Sequence, residues 1–264
     1  MKPLPNAAEQ ALGEVVRRLG RAGFEEALWE FLRRCVDPDD LLILAYRDAG
    51  LPEVLYRRSD DPEVFARLEA VYLGGAYLLD PYHELHLSRV APGLYRLSDV
   101  APDAFHRSRY YLEYYELTTI LDELTFVAYP AADVSLHVCL GRDASSGRPF
   151  APREVEACRR LAPLVLALAE RHWAALPIEP GPRPDVATRL IEALRTTHGV
   201  RLSPRQAEVA LLILQGHSTA SIALRLDVSP QTVKVFRKQL HGRCGISSQA
   251  ELFALLLPLL AGGS

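Results

Sequence analysis

The side chains best suited to chemistry in this sequence are Lys234 and Lys238, which lie four residues apart. The chain has only one other lysine, Lys2. In an α-helix, residues four apart share a face, and Val235 falls at the edge of that face. Lysine ammonium groups can donate hydrogen bonds to guanine O6 and N7, and an alkyl group packs against a thymine methyl. These residues therefore predict a surface that contacts base edges in the DNA major groove, rather than an ordinary solvated helix face.

A helix-turn-helix is expected to position this basic face. Ser229 suits the cap of a helix and Pro230 suits its first position, so a helix is predicted to begin there. A shorter amphipathic helix precedes it across a tight turn at residues 226–229. The apolar positions of the second helix are predicted to pack on the preceding helices; they are Val233, Phe236, Leu240 and Cys244, facing Val209, Ile213, Ile222 and Leu226. In such a motif the second helix enters the major groove.

Charge is distributed unevenly along the chain. Residues 201–264 contain seven Lys and Arg against three Asp and Glu, a net charge of +4. The whole chain carries −3, so residues 1–200 carry −7. A basic end on an acidic body predicts that only this end contacts DNA phosphates.

Residues 201–264 closely resemble the LuxR-type helix-turn-helix of bacterial transcription regulators. The motifs that carry the resemblance occur in order and at the family's spacing; they are Arg205, Glu208-Val209, Gln215-Gly216-His217-Ser218, Ile222-Ala223, Thr232-Val233-Lys234-Val235, Cys244-Gly245-Ile246, Ser248 and Ala250-Glu251-Leu252. The chain departs from residues common in the family at Gln206, Ser221, Phe236 and Cys244, and none of these departures removes the basic face.

The resemblance implies which side chains contact DNA. Base contacts fall on Lys234, Val235 and Lys238. Phosphate contacts near the two helix starts, and further along the second helix, fall on Ser218, Thr219, Gln231, Thr232 and Arg237. The expected partners are double-stranded DNA and a second copy of the chain, with RNA polymerase as a further candidate. For the second copy, the last helix offers apolar residues beyond what one small core needs; they are Ala250, Leu252, Phe253, Leu256, Leu257 and Leu260.

The length of 264 residues favours two domains. The proline-rich stretch from Pro177 to Pro184 cannot continue a helix and predicts the break. We predict a sensor-like domain at 1–176, a linker with a short helix at 177–200, and the DNA-binding domain at 201–264. The amino-terminal residues do not resemble a signal peptide, and the Leu255–Leu260 run is too short to span a bilayer. A cytoplasmic protein with no membrane partner is therefore expected.

The larger domain is predicted to have an α+β fold, an antiparallel sheet covered by helices. Helical patterns occupy about 7–19, 24–35, 62–73, 81–90, 106–116 and 152–173, and strand patterns occupy 41–46, 54–57, 94–97, 123–130 and 134–140. An Ala131-Ala132-Asp133 turn joins the last two strands. This order of elements resembles that of GAF/PAS-type and autoinducer-binding-type sensor domains. The DNA-binding domain is predicted to be all-α, with four helices.

Tyrosines are concentrated in the larger domain. All eleven lie between Tyr46 and Tyr129. A tyrosine combines a flat apolar body with a polar tip, which suits a pocket that orients a ligand, but the same residues equally fit the core and surface of an aromatic-rich fold. The candidate ligand-binding residues are Tyr72, Tyr77, Asp80, Tyr95, Tyr110, Tyr111 and Tyr114.

Tyr77 and Asp80-Pro81 resemble the Tyr…Asp-Pro of acyl-homoserine-lactone receptors, in which the Asp binds the ligand amide. Arg67 stands where those receptors have a Trp, and Tyr95 replaces a second aromatic residue that is usually Trp. Asp80 followed by Pro81 is also an ordinary helix start. We therefore expect a helix cap here and no homoserine lactone, while a small ligand of another class stays open.

Other functions are excluded or remain as alternatives. A phosphoreceiver domain needs a lysine at the phosphoryl group, and residues 3–233 contain none; the acids of Asp37-Pro38-Asp39-Asp40 are expected to cap and turn into the next strand. The four cysteines lack CxxC spacing, so we expect reduced thiols and no metal site. The absence of a nucleophile–base set predicts no catalysis, and no cofactor is expected. The alternatives are a sensor of a bound chromophore, haem or flavin, and a constitutive DNA-binding protein whose larger domain only dimerises.

Overall fold

The computed structural model describes residues 6–47, 50–176 and 185–261. The proline-rich stretch at 177–184, with which the predicted linker begins, lies outside these residues. The chain forms two compact units, and each is discontinuous in sequence. The first unit comprises Met1–Val64, Ser88–Asp99 and Thr119–Gly181, and the second comprises Phe65–Leu87, Val100–Thr118 and Pro182–Ser264. The division at 1–176, 177–200 and 201–264 stays a prediction.

The first unit is a five-stranded antiparallel sheet with helices. Its strands are β1 (Asp40–Arg47), β2 (Glu53–Ser59), β3 (Gly93–Arg96), β4 (Asp122–Ala131) and β5 (Val134–Arg142), in the order β2-β1-β5-β4-β3. Its helices are α1 (Asn6–Arg17), α2 (Phe24–Val36), the short α4 (Leu97–Val100), whose last residue belongs to the second unit, and α6 (Pro152–His172). Pairing of Ala131 with Val134 closes the predicted hairpin between β4 and β5. The predicted α+β fold is confirmed.

One face of this sheet forms a hydrophobic core with α1, α2 and α6. The sheet contributes alternate residues, as expected for strands with one face against helices; they are Leu41, Ile43, Ala45, Leu124, Phe126, Ala128, Leu136, Val138 and Leu140. The helices contribute Val15, Phe24, Leu28, Leu32, Val155, Cys158, Leu161 and Val165, among others. Cys158 is therefore a buried core thiol, and burial raises its pKa to about 12.

The acidic run before β1 is structural. The buried Arg142 guanidinium donates to the Asp37 carbonyl, to the Asp39 carboxylate at 3.0 Å and to Glu154 of α6 at 3.2 Å. Asp40, almost fully buried, begins β1, and burial raises its pKa to about 8, with further contributions from Asp143 and Asp39. As predicted, these acids turn the chain into the strand.

The second unit begins with short helical pieces in residues 65–87 and 100–118. They are a π-helical turn at Leu68–Tyr72, 3-10 turns at Ala76–Leu79, Phe105–Arg107 and Tyr115–Thr118, and the helices α3 (Pro81–Leu87) and α5 (Arg109–Glu113). The continuous helices predicted over 62–73 and 106–116 are wrong. Ser108 is extended and its hydroxyl accepts the Tyr111 amide, so one helical piece ends and α5 begins there. In the other segment, residues 62–67 form turns, and only the π-helical turn at Leu68–Tyr72 follows.

The rest of the second unit is helical. It contains α7 (Val186–His198), α8 (Pro204–Gln215), α9 (Thr219–Arg225), α10 (Pro230–Cys244) and α11 (Gln249–Ala261). Asp185 caps α7 as an acceptor for the Thr188 amide, and Ser203 with Gln206 forms a capping box at α8. The four-helix, all-α carboxyl-terminal domain predicted from the sequence is thus confirmed for α8 to α11.

The apolar face of α11 is covered within this unit. Leu252, Phe253, Leu256 and Leu260 are buried, and α11 contacts α7, α8, α5 and the turn at Ala76–Leu79. The sequence-based argument that these four side chains are spare apolar surface for a second copy is therefore wrong. Within the second unit, α5 and the turn at Ala76–Leu79 supply core contacts that residues 201–264 considered alone lack.

Candidate nucleic-acid interface and tyrosine cluster

Two capped helices form the helix-turn-helix. The Ser218 hydroxyl accepts the Ser221 amide at the start of α9, and the Ser229 hydroxyl accepts the Thr232 amide at 3.0 Å at the start of α10. Asp227 takes a left-handed conformation at φ 52° in the turn between them. The Val228 amide donates to the Ala223 carbonyl, so the turn is closed by the chain's own backbone. The predicted helix start at Ser229-Pro230 is confirmed.

α10 separates its apolar and basic residues onto different faces. Val233 and Leu240 are fully buried, while Phe236 and Cys244, also predicted on the core side, are half-buried. Of the residues predicted to face them, Val209, Ile213 and Ile222 are buried and Leu226 is half-buried, and α10 contacts both α8 and α9. Lys234, Val235 and Lys238 are exposed, and Val235, at 44% exposure, stands among the exposed large hydrophobic residues. Packing thus fixes the rotation of α10 and leaves the predicted base-contacting residues facing outward.

The residues predicted to contact phosphate lie at the helix starts and along α10. Gln231 is exposed, and Thr219, Thr232 and Arg237 are half-buried. The Thr232 hydroxyl lies 2.8 Å from that of Ser229. Ser218 differs from the others because its backbone amide already donates to the Asp103 carboxylate at 2.9 Å.

Two acids that sequence reasoning missed contact the helix-turn-helix within the second unit. Asp103 accepts from the Ser218 side chain and amide, which hold the pKa of its carboxyl below the usual range. Glu84 of α3 forms an ion pair with Arg225 at the end of α9, with 2.6 Å between Oε1 and the guanidinium nitrogen. Separations of 115 and 141 residues explain why no local pattern predicts these contacts.

Gln206, which departs from the residue common in the family, connects two helices. Its side-chain carbonyl accepts the Ser203 amide, and its side-chain NH₂ donates to Gln239 Oε1 of α10 at 3.0 Å. A glutamate could make the first contact but could not donate in the second. The amide therefore joins the α8 cap to the exposed side of α10.

Five of the seven candidate ligand-binding residues form one buried cluster in the second unit. The Tyr72 hydroxyl donates to Asp80 Oδ2 at 2.7 Å, and the Tyr110 hydroxyl also hydrogen-bonds this carboxylate. The Tyr114 ring stacks on both Tyr72 and Tyr110, with centroids 5.7 and 5.5 Å apart, and Tyr77 lies 6.4 Å from Tyr72. All four rings are buried. The cluster combines stacked aromatic rings with a single carboxylate.

The other two candidates lie elsewhere. Tyr95 belongs to β3 in the first unit, and its hydroxyl donates to the Ala91 carbonyl at 2.7 Å. Tyr111 is half-buried and stacks on Tyr115 at 5.6 Å. The seven candidates therefore do not form a single site, since neighbours in sequence on a short helix point in different directions.

Asp80 has the structural role predicted for it. Its Oδ1 accepts the Tyr82 amide at 2.8 Å, and Pro81 is the first residue of α3. Burial raises the pKa of this carboxyl to about 6, opposed in part by the hydrogen bonds from Tyr72, Tyr82 and Tyr110. Asp80 thus caps the helix that carries Glu84 and also joins the tyrosine cluster.

A pH-dependent stability follows from Asp80. Because the folded protein binds the Asp80 proton more tightly than the unfolded chain does, this group's contribution is fully present below about pH 4 and is lost as pH rises to about 6. The free energy of unfolding of the wild type should therefore fall relative to that of Asp80→Asn by on the order of 1–2 kcal/mol over this range. Urea unfolding of both proteins at several pH values measures the difference. Parallel curves would contradict a raised pKa at Asp80.

Among the residues described, no helix has the length and apolar character needed to cross a bilayer. In the same ranges, no three His, Cys, Asp or Glu side chains group in a way that could hold a metal ion.

Known proteins resemble the carboxyl-terminal helices and, separately, larger portions of the chain. The family described as bacterial regulatory proteins, luxR family, matches residues 200–256. A putative HTH-type transcriptional regulator in the exeN 3' region of Aeromonas salmonicida is 28% identical over 184 residues, covering 67% of this chain and 93% of that relative. The crystal structure of the VqsR LBD domain from Pseudomonas aeruginosa covers 64% of this chain and 99% of its own, with a TM-score of 0.54 and 24% identity.

The likeness to VqsR shows the fold alone, and it agrees with the five-stranded α+β architecture described above. The family match covers α8, α9, α10 and the first half of α11. It spans both capped helices and the exposed Lys234, Val235 and Lys238. Residues 200–256 are thus a LuxR-family DNA-binding domain, and the chain that carries it is similar to bacterial transcription regulators.

Proposed function

We propose that this protein regulates transcription in the bacterial cytoplasm by placing α10 in the DNA major groove as part of a homodimer. The observation that carries the proposal is the exposed face of Lys234, Val235 and Lys238 on a helix whose opposite face is buried. Two cations and one alkyl group on a rigid helix match the acceptors and methyl groups of base edges. The protein acts by binding rather than by catalysis.

Each predicted DNA contact has a defined role in this proposal. Lys234, Val235 and Lys238 contact bases and supply sequence preference. Ser218, Thr219, Gln231, Thr232 and Arg237 contact phosphates and fix the orientation of α10. Phosphate contacts carry no sequence information directly but supply much of the affinity, which falls as salt concentration rises.

Selection from a random DNA pool tests the proposal. The full chain is immobilised, bound duplexes are amplified through several rounds, and affinity for the enriched sequence is measured by fluorescence anisotropy. We expect an enriched motif that binds at least about 10³-fold more tightly than scrambled DNA, as specific regulators do. A pool that stays random, or equal affinity for enriched and scrambled DNA, would contradict sequence-specific regulation.

We further propose that a small ligand controls the protein through the buried cluster of Tyr72, Tyr77, Asp80, Tyr110 and Tyr114. Support comes from the stacked rings around one carboxylate, which combine apolar surface with an orienting polar group. The similar VqsR domain is described as an LBD domain. Two alternatives remain, a bound chromophore, haem or flavin and a larger domain that only dimerises. The visible absorption spectrum of the purified protein tests the first, and a thermal-shift ligand screen tests the second.

Substitutions in the cluster should blunt the response to an effector found in that screen. Tyr72→Phe and Tyr110→Phe each remove a hydroxyl that donates to Asp80 while keeping the ring, so the carboxylate loses its orientation. We expect the effector concentration for half-maximal response to rise about 10-fold, the effect of one lost hydrogen bond to a charged group. Tyr95→Phe, in the first unit, is the matched control. If Tyr95→Phe alone reduced the response, the ligand site would lie elsewhere.

A further inference from the structure

We propose that Glu84 and Asp103 form an acidic latch that holds the helix-turn-helix in a state of reduced DNA affinity. The latch is defined by two contacts, Asp103 to Ser218 and Glu84 to Arg225. The inference rests on the proposed DNA-binding function, because it concerns groups that DNA would otherwise engage. Both acids and both partners lie in the second unit.

Asp103 occupies a predicted phosphate contact. Its Oδ1 accepts the Ser218 amide at 2.9 Å, and the Ser218 side chain also hydrogen-bonds this carboxylate. The low pKa of Asp103 keeps it charged at neutral pH. An amide that already donates a hydrogen bond to one anion cannot donate to a second with good geometry. A DNA phosphate approaching Ser218 would therefore meet both an occupied donor and a like charge.

Glu84 neutralises a basic residue of the DNA-binding domain, Arg225. Arg225 is one of the seven basic residues that give residues 201–264 their net charge of +4. Its guanidinium lies 2.6 Å from Glu84 Oε1. The two acids add two negative charges beside α9, so half of the local excess of positive charge is opposed when the latch is closed. The electrostatic attraction between the DNA-binding domain and the DNA phosphates is therefore weaker.

The loop before α9 fits closely against residues 103–108. The Ala104 amide donates to the Gly216 carbonyl at 3.0 Å. Gly216 has a φ of +97°, and a Cβ added there would lie 2.9 Å from the Phe105 Cα. The Gln215 side chain also donates to the Leu78 carbonyl at 3.4 Å. These contacts hold Asp103 next to Ser218, so the two contacts of the latch form part of an extended surface.

The latch leaves the base-contacting face open. Lys234, Val235 and Lys238 remain exposed while Ser218 and Arg225 are engaged. A closed latch should therefore reduce affinity for all DNA sequences while preserving sequence preference. This outcome separates the latch from a block of α10 itself.

The tyrosine cluster positions both acids of the latch. The Asp80 side chain caps α3, which carries Glu84. Asp80 also hydrogen-bonds Tyr110 of α5, and the Tyr110 ring lies 6.0 Å from Phe105, two residues beyond Asp103. A rearrangement at Asp80 and Tyr110 would move Glu84 and Asp103 together. An effector bound at this cluster would thereby open the latch.

Charge-removing variants of the full chain test the latch. Glu84→Gln, Asp103→Asn and the double variant are titrated by fluorescence anisotropy on the selected DNA and on scrambled DNA. Each contact lies at an exposed or half-buried site and is individually weak. We expect about a 2- to 5-fold gain in affinity for each single variant and about 10-fold for the double, equal on both DNAs. Hydrogen exchange at the Ser218 amide should quicken in Asp103→Asn without DNA.

Glu113→Gln is the matched control. The substitution removes the same charge from α5, where Glu113 pairs with Arg109 rather than with a residue of the helix-turn-helix. If wild type and all variants fail to select or bind DNA, the proposed function itself is wrong. If the wild type binds DNA and the latch variants gain no more affinity than Glu113→Gln, the latch is wrong. A gain confined to the selected DNA would also overturn it, because the acids would then act on base contacts.

Discussion

Moving the two half-sites of the target DNA apart by about half a helical turn is expected to reduce the affinity of the full chain by on the order of 100-fold. A single helix-turn-helix contacts only a few base pairs, and a net charge of +4 on residues 201–264 gives modest affinity alone. Pairing two domains makes the second binding event intramolecular, which raises the effective concentration. The symmetry of a homodimer then requires a two-fold-related site with half-sites about one turn apart.

Footprinting and anisotropy on three DNAs measure this effect. They carry the selected site, the same half-sites with about five extra base pairs, and the same half-sites with about ten, where the insertion restores the helical phase. We expect affinity to fall at the half-turn and to recover in part at the full turn. Indifference to the half-turn insertion, or a single chain bound per DNA by light scattering, would contradict the paired arrangement.

The apolar face of α11 gives no support to the proposed homodimer, because it is buried within the chain. Leu252, Phe253, Leu256 and Leu260 are buried, and α11 contacts α7, α8, α5 and the turn at Ala76–Leu79 of the same chain. A sequence shows how many apolar residues a helix carries, but not how much core another segment will offer it. The homodimer is therefore proposed from the needs of DNA binding, and the spacing experiment tests it without reference to any particular surface.

The sequence predicted best where local chemistry determines structure. Ser229-Pro230 predicted the start of α10, Asp80-Pro81 that of α3, and alternating residues near 134–140 predicted β5. In each case the groups that determine the structure lie within a few residues of one another. Caps and strand alternation are therefore visible without knowledge of the fold.

Prediction from the sequence failed where contacts between distant residues override local conformational preference. Residues 106–116 favour a helix by composition, yet Ser108 interrupts it, because the extended conformation there lets Phe105 and Tyr110 both enter the core. Likewise, the tyrosine cluster joins residues 72–80 to residues 110–114 through one carboxylate, and Tyr95 lies apart from it. Density of a residue type along the chain does not show which rings meet in space.

Lys238→Ala is expected to cost about 1–3 kcal/mol of specific DNA binding, and the double variant with Lys234→Ala about 2–6 kcal/mol. Both ammonium groups stand exposed on the same face of α10, whose orientation is fixed by buried Val233 and Leu240. A contact to a base edge is made only with the correct base, so the loss should fall on the selected DNA, and preference should relax at one base pair for each lysine. Affinity for scrambled DNA should change much less.

Arg237→Ala is the matched control for the lysine variants. It removes one positive charge from the same helix, at a position proposed to contact phosphate, so its loss should be similar on selected and scrambled DNA. The DNA affinity of Arg237→Ala should also depend less steeply on salt concentration, since fewer counterions are released when one phosphate contact is lost. Anisotropy titrations of the lysine and arginine variants on both DNAs, at two salt concentrations, separate the two kinds of contact. If Lys238→Ala lost affinity equally on both DNAs, as Arg237→Ala should, then Lys238 would only neutralise phosphate, and the base-contacting role of this face would have to be assigned to Lys234 and Val235 alone.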